Sequence, residues 1–146
     1  MTQEDKILLL KDLSARLTCR TMVKCNTDGH HEFDEELSVM HIMNFYQFET
    51  KPYLRPMSSM TEEEKIKLYQ IAGFYYLSNN ELLKDEWRQF SDALSENELF
   101  LPYPIWGNDL QRVYDWFNEN HFDYRGLIER GLALEALDGM YGLKEK

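Results

Sequence analysis

Near the start of the chain, apolar residues recur at spacings of three and four, with Leu9, Leu10, Leu13 and Leu17 set among charged neighbours. Those spacings put side chains on one face of an α-helix, so the pattern predicts a helix from about Gln3 to Arg16. Thr2 precedes it and Asp5 follows three residues later, a capping arrangement that satisfies backbone N–H groups and places negative charge at the positive end of the helix dipole. At Cys19 the period drops to two. Cys19, Thr21, Val23 and Cys25 share one side and Arg20, Met22 and Lys24 the other, as on a β-strand. Asn26-Thr27-Asp28-Gly29 carries turn chemistry, so a second strand should return from His31 to Leu37. Ser38 to Glu49 is rich in Val, Ile, Phe and Tyr and is expected as a third strand, with Met40, Ile42, Tyr46 and Phe48 on one face.

Pro52 and Pro56 remove two backbone donors from Lys51 to Ser59, which reads as an ordered connector. Thr61 with Glu64 forms a capping box, and a helix is predicted from there to about Tyr76. Ser78-Asn79-Asn80 breaks that helix and starts another, marked by Leu83, Trp87, Phe90 and Leu94 on one face. A connector with Pro102 and Pro104 spans Phe100 to Trp106, and Asn108 then caps a helix that buries Leu110, Val113, Tyr114 and Phe117 and ends near Asn120. From His121 to Tyr141 three glycines, Gly126, Gly131 and Gly139, break any long helix, so a helical turn and an extended stretch at Leu132 to Leu134, able to join the sheet, are expected. The fold class is α+β, a small antiparallel sheet near the N-terminus packed against about four α-helices. Residues 1–146 are expected to form one domain, with a helix and the sheet to about residue 60 and mainly helix from 61 to 146.

Composition narrows the function classes. A chain of 146 residues with 43% hydrophobic and 14% aromatic content has the material for one core and is no disordered polymer. No apolar run approaches the ~20 residues of a membrane helix, and the opening Thr2-Gln3-Glu4-Asp5 differs from a basic, then apolar, secretory leader, so a cytoplasmic setting without membrane contact is expected. Cys19 and Cys25 are expected as free thiols. Sixteen basic residues against 26 acidic ones give a net charge of −10, which repels a nucleic-acid backbone; direct nucleic-acid binding is not expected. The charge suits solubility or a protein partner with a basic face.

Two segments carry a resemblance. KPYLRPMSSMTEEEK (Lys51 to Lys65) and WFNENHFDYRGLIERGLALEALDGMY (Trp116 to Tyr141) resemble the shared blocks of a family of small, uncharacterised proteins encoded by gut Bacteroidales and their phages. The resemblance implies a phage or mobile-element accessory gene and brings no activity, cofactor or catalytic residue with it. The chain departs from the family pattern at Thr18-Cys19-Arg20, where a Pro-Tyr-Gly entry is usual, and at Leu137, where Pro is common.

Three groups of residues hold candidate chemistry. Cys19, Cys25, His30, His31 and His41 are of the residue types that bind zinc, but five residues separate the cysteines, which lie roughly 15 Å or more apart on an extended strand and match no finger spacing. The structural alternative is two small buried thiols and exposed turn histidines. In the loop His121-Phe122-Asp123-Tyr124-Arg125, His121, Asp123 and Arg125 have the makings of a base, an orienting carboxylate and an anion-binding guanidinium. The structural alternative caps a turn with Asp123, pairs Arg125 with a carboxylate and anchors Phe122 and Tyr124 in the core. The connector from Lys51 to Ser59 precedes a helix N-terminus, yet Glu62, Glu63 and Glu64 would repel a phosphate there, and no phosphate loop, nucleophile elbow or metalloprotease motif occurs. The function expected is therefore a non-enzymatic protein-interaction module without cofactor, acting on an unidentified protein partner. A homo-oligomer joined through a sheet edge is a further possibility. The alternatives are a small enzyme using the His121 to Arg125 cluster and an acidic nucleic-acid mimic.

Overall fold

The computed structural model describes residues 1–72, 81–98 and 108–142, with the side chains of 81–86 and 108–109 outside the description. The chain gathers into two compact units, Met1–Arg55 with Arg125–Lys146, and Pro56–Tyr124.

The first unit begins with α1 (Gln3–Ala15). Its capping box is formed: the Asp5 N–H donates to Thr2 Oγ1 at 3.0 Å, and the Thr2 N–H reaches the Asp5 carboxylate at 3.4 Å. Then follow β1 (Met22–Asn26), β2 (Glu32–Glu36), α2 (Val39–Met43), β3 (Glu49–Leu54) and, from the tail, β4 (Leu134–Glu135). They make a four-stranded sheet in the order β2-β1-β3-β4. The β1 strand runs antiparallel to both neighbours, with Cys25 opposite Phe33 on one side and Thr50 on the other, while β3 and β4 are parallel. In β1 the period of two is realised as buried Val23 and Cys25 between half-buried Met22, Lys24 and Asn26. The turn before β2 uses its predicted residues. Gly29 takes a φ of 79°, its N–H donates to Asn26 Oδ1, and the Asp28 carboxylate accepts the N–H groups of His30 and His31.

The core of this unit joins Leu9 and Leu13 of α1 to Val23 and Leu54 of the sheet, with Leu37, Phe45, Leu127 and Leu132 around them. Each such side chain contributes about 1.5–3 kcal/mol by leaving water. The tail is fastened by polar contacts as well. Tyr141 donates its hydroxyl to the Tyr53 carbonyl at 2.7 Å and accepts the Met22 N–H at 2.9 Å, linking β1 and β3 from outside their ladder. Fully buried Asp12 accepts from Arg16 Nε at 2.9 Å and from Arg125 Nε at 3.1 Å, so one carboxylate binds α1 to the returning chain.

Two local expectations are corrected. The stretch from Ser38 to Glu49, read as a strand, begins instead with the short helix α2. Ser38 Oγ accepts the Met40 N–H while His41 Nδ1 accepts the Ser38 N–H, a box that outcompetes β propensity. The strand is displaced to Glu49–Leu54, running from the end of the expected strand into the Lys51 to Ser59 segment read as a connector. Pro52 sits there opposite Val23, and β4 pairs only Tyr53 and Leu54, leaving Pro52 an unpaired side for its missing donor.

The second unit contains a 3-10 turn at Met57–Ser59, α3 (Glu62–Ile71), α4 (Glu81–Ser95) and α5 (Asn108–Glu119). The Thr61–Glu64 capping box starts α3 as predicted. The predicted helix end at Tyr76 and the connector from Phe100 to Trp106 lie outside the described residues. Leu68, Tyr69, Phe90, Leu94, Val113, Phe117 and Phe122 form this unit's core. Buried Lys65 crosses from α3 to α4, donating to Ser91 Oγ at 3.1 Å and Ser95 Oγ at 2.9 Å, with Glu62 at 3.2 Å. Among the described residues no helix is long and apolar enough to cross a membrane.

Candidate functional site

The residues following α5 have architectural partners. His121 holds a φ of 65°, its N–H donates to the Asn118 carbonyl, and the Phe122 N–H reaches back to the Phe117 carbonyl. These two bonds define a Schellman stop, in which a left-handed residue ends the helix and satisfies its last carbonyls. His121 occupies the position usually given to glycine. Phe122 is fully buried in the core of the second unit, Tyr124 stacks on Phe117 with ring centres 5.2 Å apart, and its hydroxyl donates to Asn118 Oδ1. His121 and Asp123 are both buried. Arg125 belongs to the first unit, where its Nε is held by Asp12.

The zinc-type residues divide differently from their order in the sequence. Cys19 follows α1 and is half-buried, while His30 and His31 are exposed in the turn, the ring of His31 against Asp28 at 2.9 Å. Buried Cys25 lies with Glu35 and His41, their donor atoms all within 4.8 Å of one another. Cys25, Glu35 and His41 come from β1, β2 and α2. Hydrogen bonding decides what the trio does. Because His41 Nδ1 accepts the backbone N–H of Ser38 at 2.9 Å, the neutral ring carries its proton on Nε2, which donates to Glu35 Oε1 at 2.5 Å. A metal on Nε2 needs the proton on Nδ1, where it would point into the Ser38 N–H. The Thr50 hydroxyl meanwhile donates to the Cys25 sulfur at 3.9 Å. Burial pushes the Cys25 thiol up from its ordinary pKa; the Thr50 bond opposes the shift and the nearby Glu35 charge adds to it. The arrangement is that of a hydrogen-bonded clasp holding α2 against the sheet edge.

On the other face of the sheet, Lys24 and Lys51 stand directly opposite each other in a shallow depression shared with Asn26, Glu32, Glu49 and Leu134. Two carboxylates offset the two ammonium groups, and Lys24 pairs with Glu32 at 3.7 Å. The depression is a balanced surface lattice of charges.

The feature without an architectural account is the outward side of α2 and of the turn that follows it. Val39, Met40, Met43 and Tyr46 are 54%, 55%, 73% and 72% exposed. Of the nine large apolar residues that are exposed among the described residues, four therefore fall within eight consecutive positions. The inward side of the same segment contributes Phe45 and Ile42 to the core. Phe33, 40% exposed on β2, shares the strand face of Glu35, the residue that touches α2 through His41. From Cys25 to Thr50 the chain has six acidic residues and neither Lys nor Arg, and the strand pairing places Glu32, Asp34, Glu36 and Glu49 on the face of the sheet opposite α2, with Lys24 and Lys51. Reading the segment as a strand concealed the stripe, since period two mixes its inward and outward residues; the signal was the spacing of Val39, Met43 and Tyr46 at four and three. Compared with family models, curated proteins and solved structures, the chain matches none.

Proposed function

We propose that this chain is a non-enzymatic protein-interaction module, an accessory protein of phage or mobile-element type, that docks through the outward stripe of α2. The observation that carries the reading is the run of exposed Val39, Met40 and Met43 on a helix already clamped in place by Ser38 and His41, continued by exposed Tyr46 in the turn that follows. Single exposed apolar residues need no explanation, but four within eight consecutive positions form a typical contact surface. Methionine suits this use because its unbranched, polarizable side chain adapts to the partner's shape. The contacts made by the polar residues of the His121 to Arg125 loop support the same reading: the backbone of His121 ends a helix, and Arg125 binds Asp12.

The test compares the parent protein with a Met40→Ser/Met43→Ser variant in affinity capture from the native host followed by mass spectrometry. A partner retained by the parent and lost by the equally folded variant is the expected result. Capture that ignores the substitutions, or reproducible turnover of a metabolite or nucleic acid by the purified protein, would overturn the proposal.

A further inference from the structure

We infer that α2 is held by a proton-operated latch at His41: the neutral imidazole closes the cap of the helix, and a second proton on the ring opens it. The ring's partners fix its state. A backbone N–H only donates, so His41 Nδ1, 2.9 Å from the Ser38 nitrogen, presents its lone pair there, and Nε2 carries the single proton toward Glu35 Oε1. His41 is 2% exposed, so bulk water replaces neither bond while the latch is closed.

A second proton turns one of these contacts against itself. An imidazolium carries N–H groups at both nitrogens, and Nδ1–H would meet the Ser38 N–H donor to donor across 2.9 Å. The Ser38 hydroxyl, 3.4 Å from Nδ1, stands beyond good bonding distance and already accepts the Met40 N–H. Burial of an ionised ring adds a further cost. Against both stands the attraction of Glu35, whose side chain is 45% exposed and therefore screened by water. The other elements around the ring bring no opposing charge to it. From β1 comes Cys25, a neutral thiol that burial pushes up in pKa, and β3 reaches that sulfur through uncharged Thr50. α1 packs against α2 and gives Leu9 and Leu13 to the shared core, while its Asp5 is engaged by Arg130 and its Asp12 by Arg16 and Arg125. A closed latch that excludes the proton and an open one that admits it are linked: once the free imidazole is charged, acid favours the open form by about tenfold per pH unit. With five residues, α2 is too short to persist without its cap, so opening releases the segment that carries Val39, Met40 and Met43. The latch is independent of the docking proposed above; where both hold, acid withdraws the docking surface.

The test follows the Ser38 and Met40 amides by hydrogen exchange, expressed as protection over the intrinsic rate, and the His41 ring nitrogens by NMR. The range is pH 8 to 5, in which an imidazole ordinarily changes charge. In the parent protein both amides should lose protection by about tenfold or more as the ring takes up its second proton. His41→Gln supplies an acceptor that capping boxes ordinarily use and that does not titrate, so its protection should stay constant across the range. Glu35→Gln keeps an acceptor for Nε2–H without a titrating carboxylate, and it should still respond. Protection that ignores pH in the parent, a response that persists in His41→Gln, or one that vanishes in Glu35→Gln would each overturn the inference. If His41→Gln does not fold, the parent decides alone: a ring that carries both protons while the Ser38 amide stays protected sinks the latch.

Discussion

At His121 the chain accepts a left-handed backbone, a conformation that costs a residue with a Cβ about 1–2 kcal/mol and glycine very little. Asn97 does the same at the end of α4, where the Glu98 N–H returns to the Ala93 carbonyl, and its side-chain oxygen accepts the Ser58 N–H at 2.7 Å. If His121 serves as the stop of α5, His121→Gly should leave the fold intact, and a β-branched His121→Val should be less stable than His121→Gly by about 1–2 kcal/mol in urea unfolding. Tyr141 makes a second residue-level claim. Burial pushes its hydroxyl pKa up to about 12, above the ordinary value of 10.0. Between those values the unfolded chain releases a proton that the folded chain retains, so stability is fully present below pH 10 and is lost as pH rises toward 12. Tyr141→Phe should cost about 1–3 kcal/mol at neutral pH, because it strands the Met22 N–H and the Tyr53 carbonyl, and should flatten that alkaline loss. Denaturant titrations of both proteins across the interval measure it.

The longer helices were legible in the sequence, because α4 and α5 repeat their apolar positions over several turns and α1 and α3 carry their capping boxes in plain view. The turn at Asn26–Gly29 was equally legible, since its backbone demands the residues that stand there. What failed was short. α2 has five helical residues, too few for periodicity to outweigh the β preference of Val39 and Ile42, and its decisive feature is a histidine acting where a capping box ordinarily has Glu or Gln. The shift of β3 followed from this, and Pro52 argued against a strand that its neighbours nevertheless complete. The candidate site was hidden for the same reason, whereas residues from distant positions, such as Cys25, Glu35 and His41, meet only through tertiary folding. The two sides of the segment formed by α2 and its following turn should respond oppositely to substitution. Phe45→Ala, at the buried side, should cost about 3–5 kcal/mol, while Met43→Ser should stay within about 0.5 kcal/mol in the same unfolding assay.

Across the whole molecule the charge is unevenly spread. Six of the 26 acidic residues and none of the 16 basic ones lie between Cys25 and Thr50, leaving a net of −4 for the other 120 positions. Such a concentration makes the stability of the fold depend on salt. Within the folded chain the carboxylates of β2 and its surroundings repel one another, and the exposed pairs that relieve them, Arg20–Glu36 at 3.4 Å and Lys24–Glu32 at 3.7 Å, are worth little individually. The Asp12 pair with Arg16 is buried on both sides and is screened far less. Raising the ionic strength from about 0.01 to 0.3 M shortens the screening length from about 30 Å to well under 10 Å, which relieves the repulsion more than it weakens the buried pair. The melting temperature should therefore rise by a few degrees over this range, by thermal denaturation followed by circular dichroism. A melting temperature that falls with salt would mean that the attractive exposed pairs outweigh the repulsion.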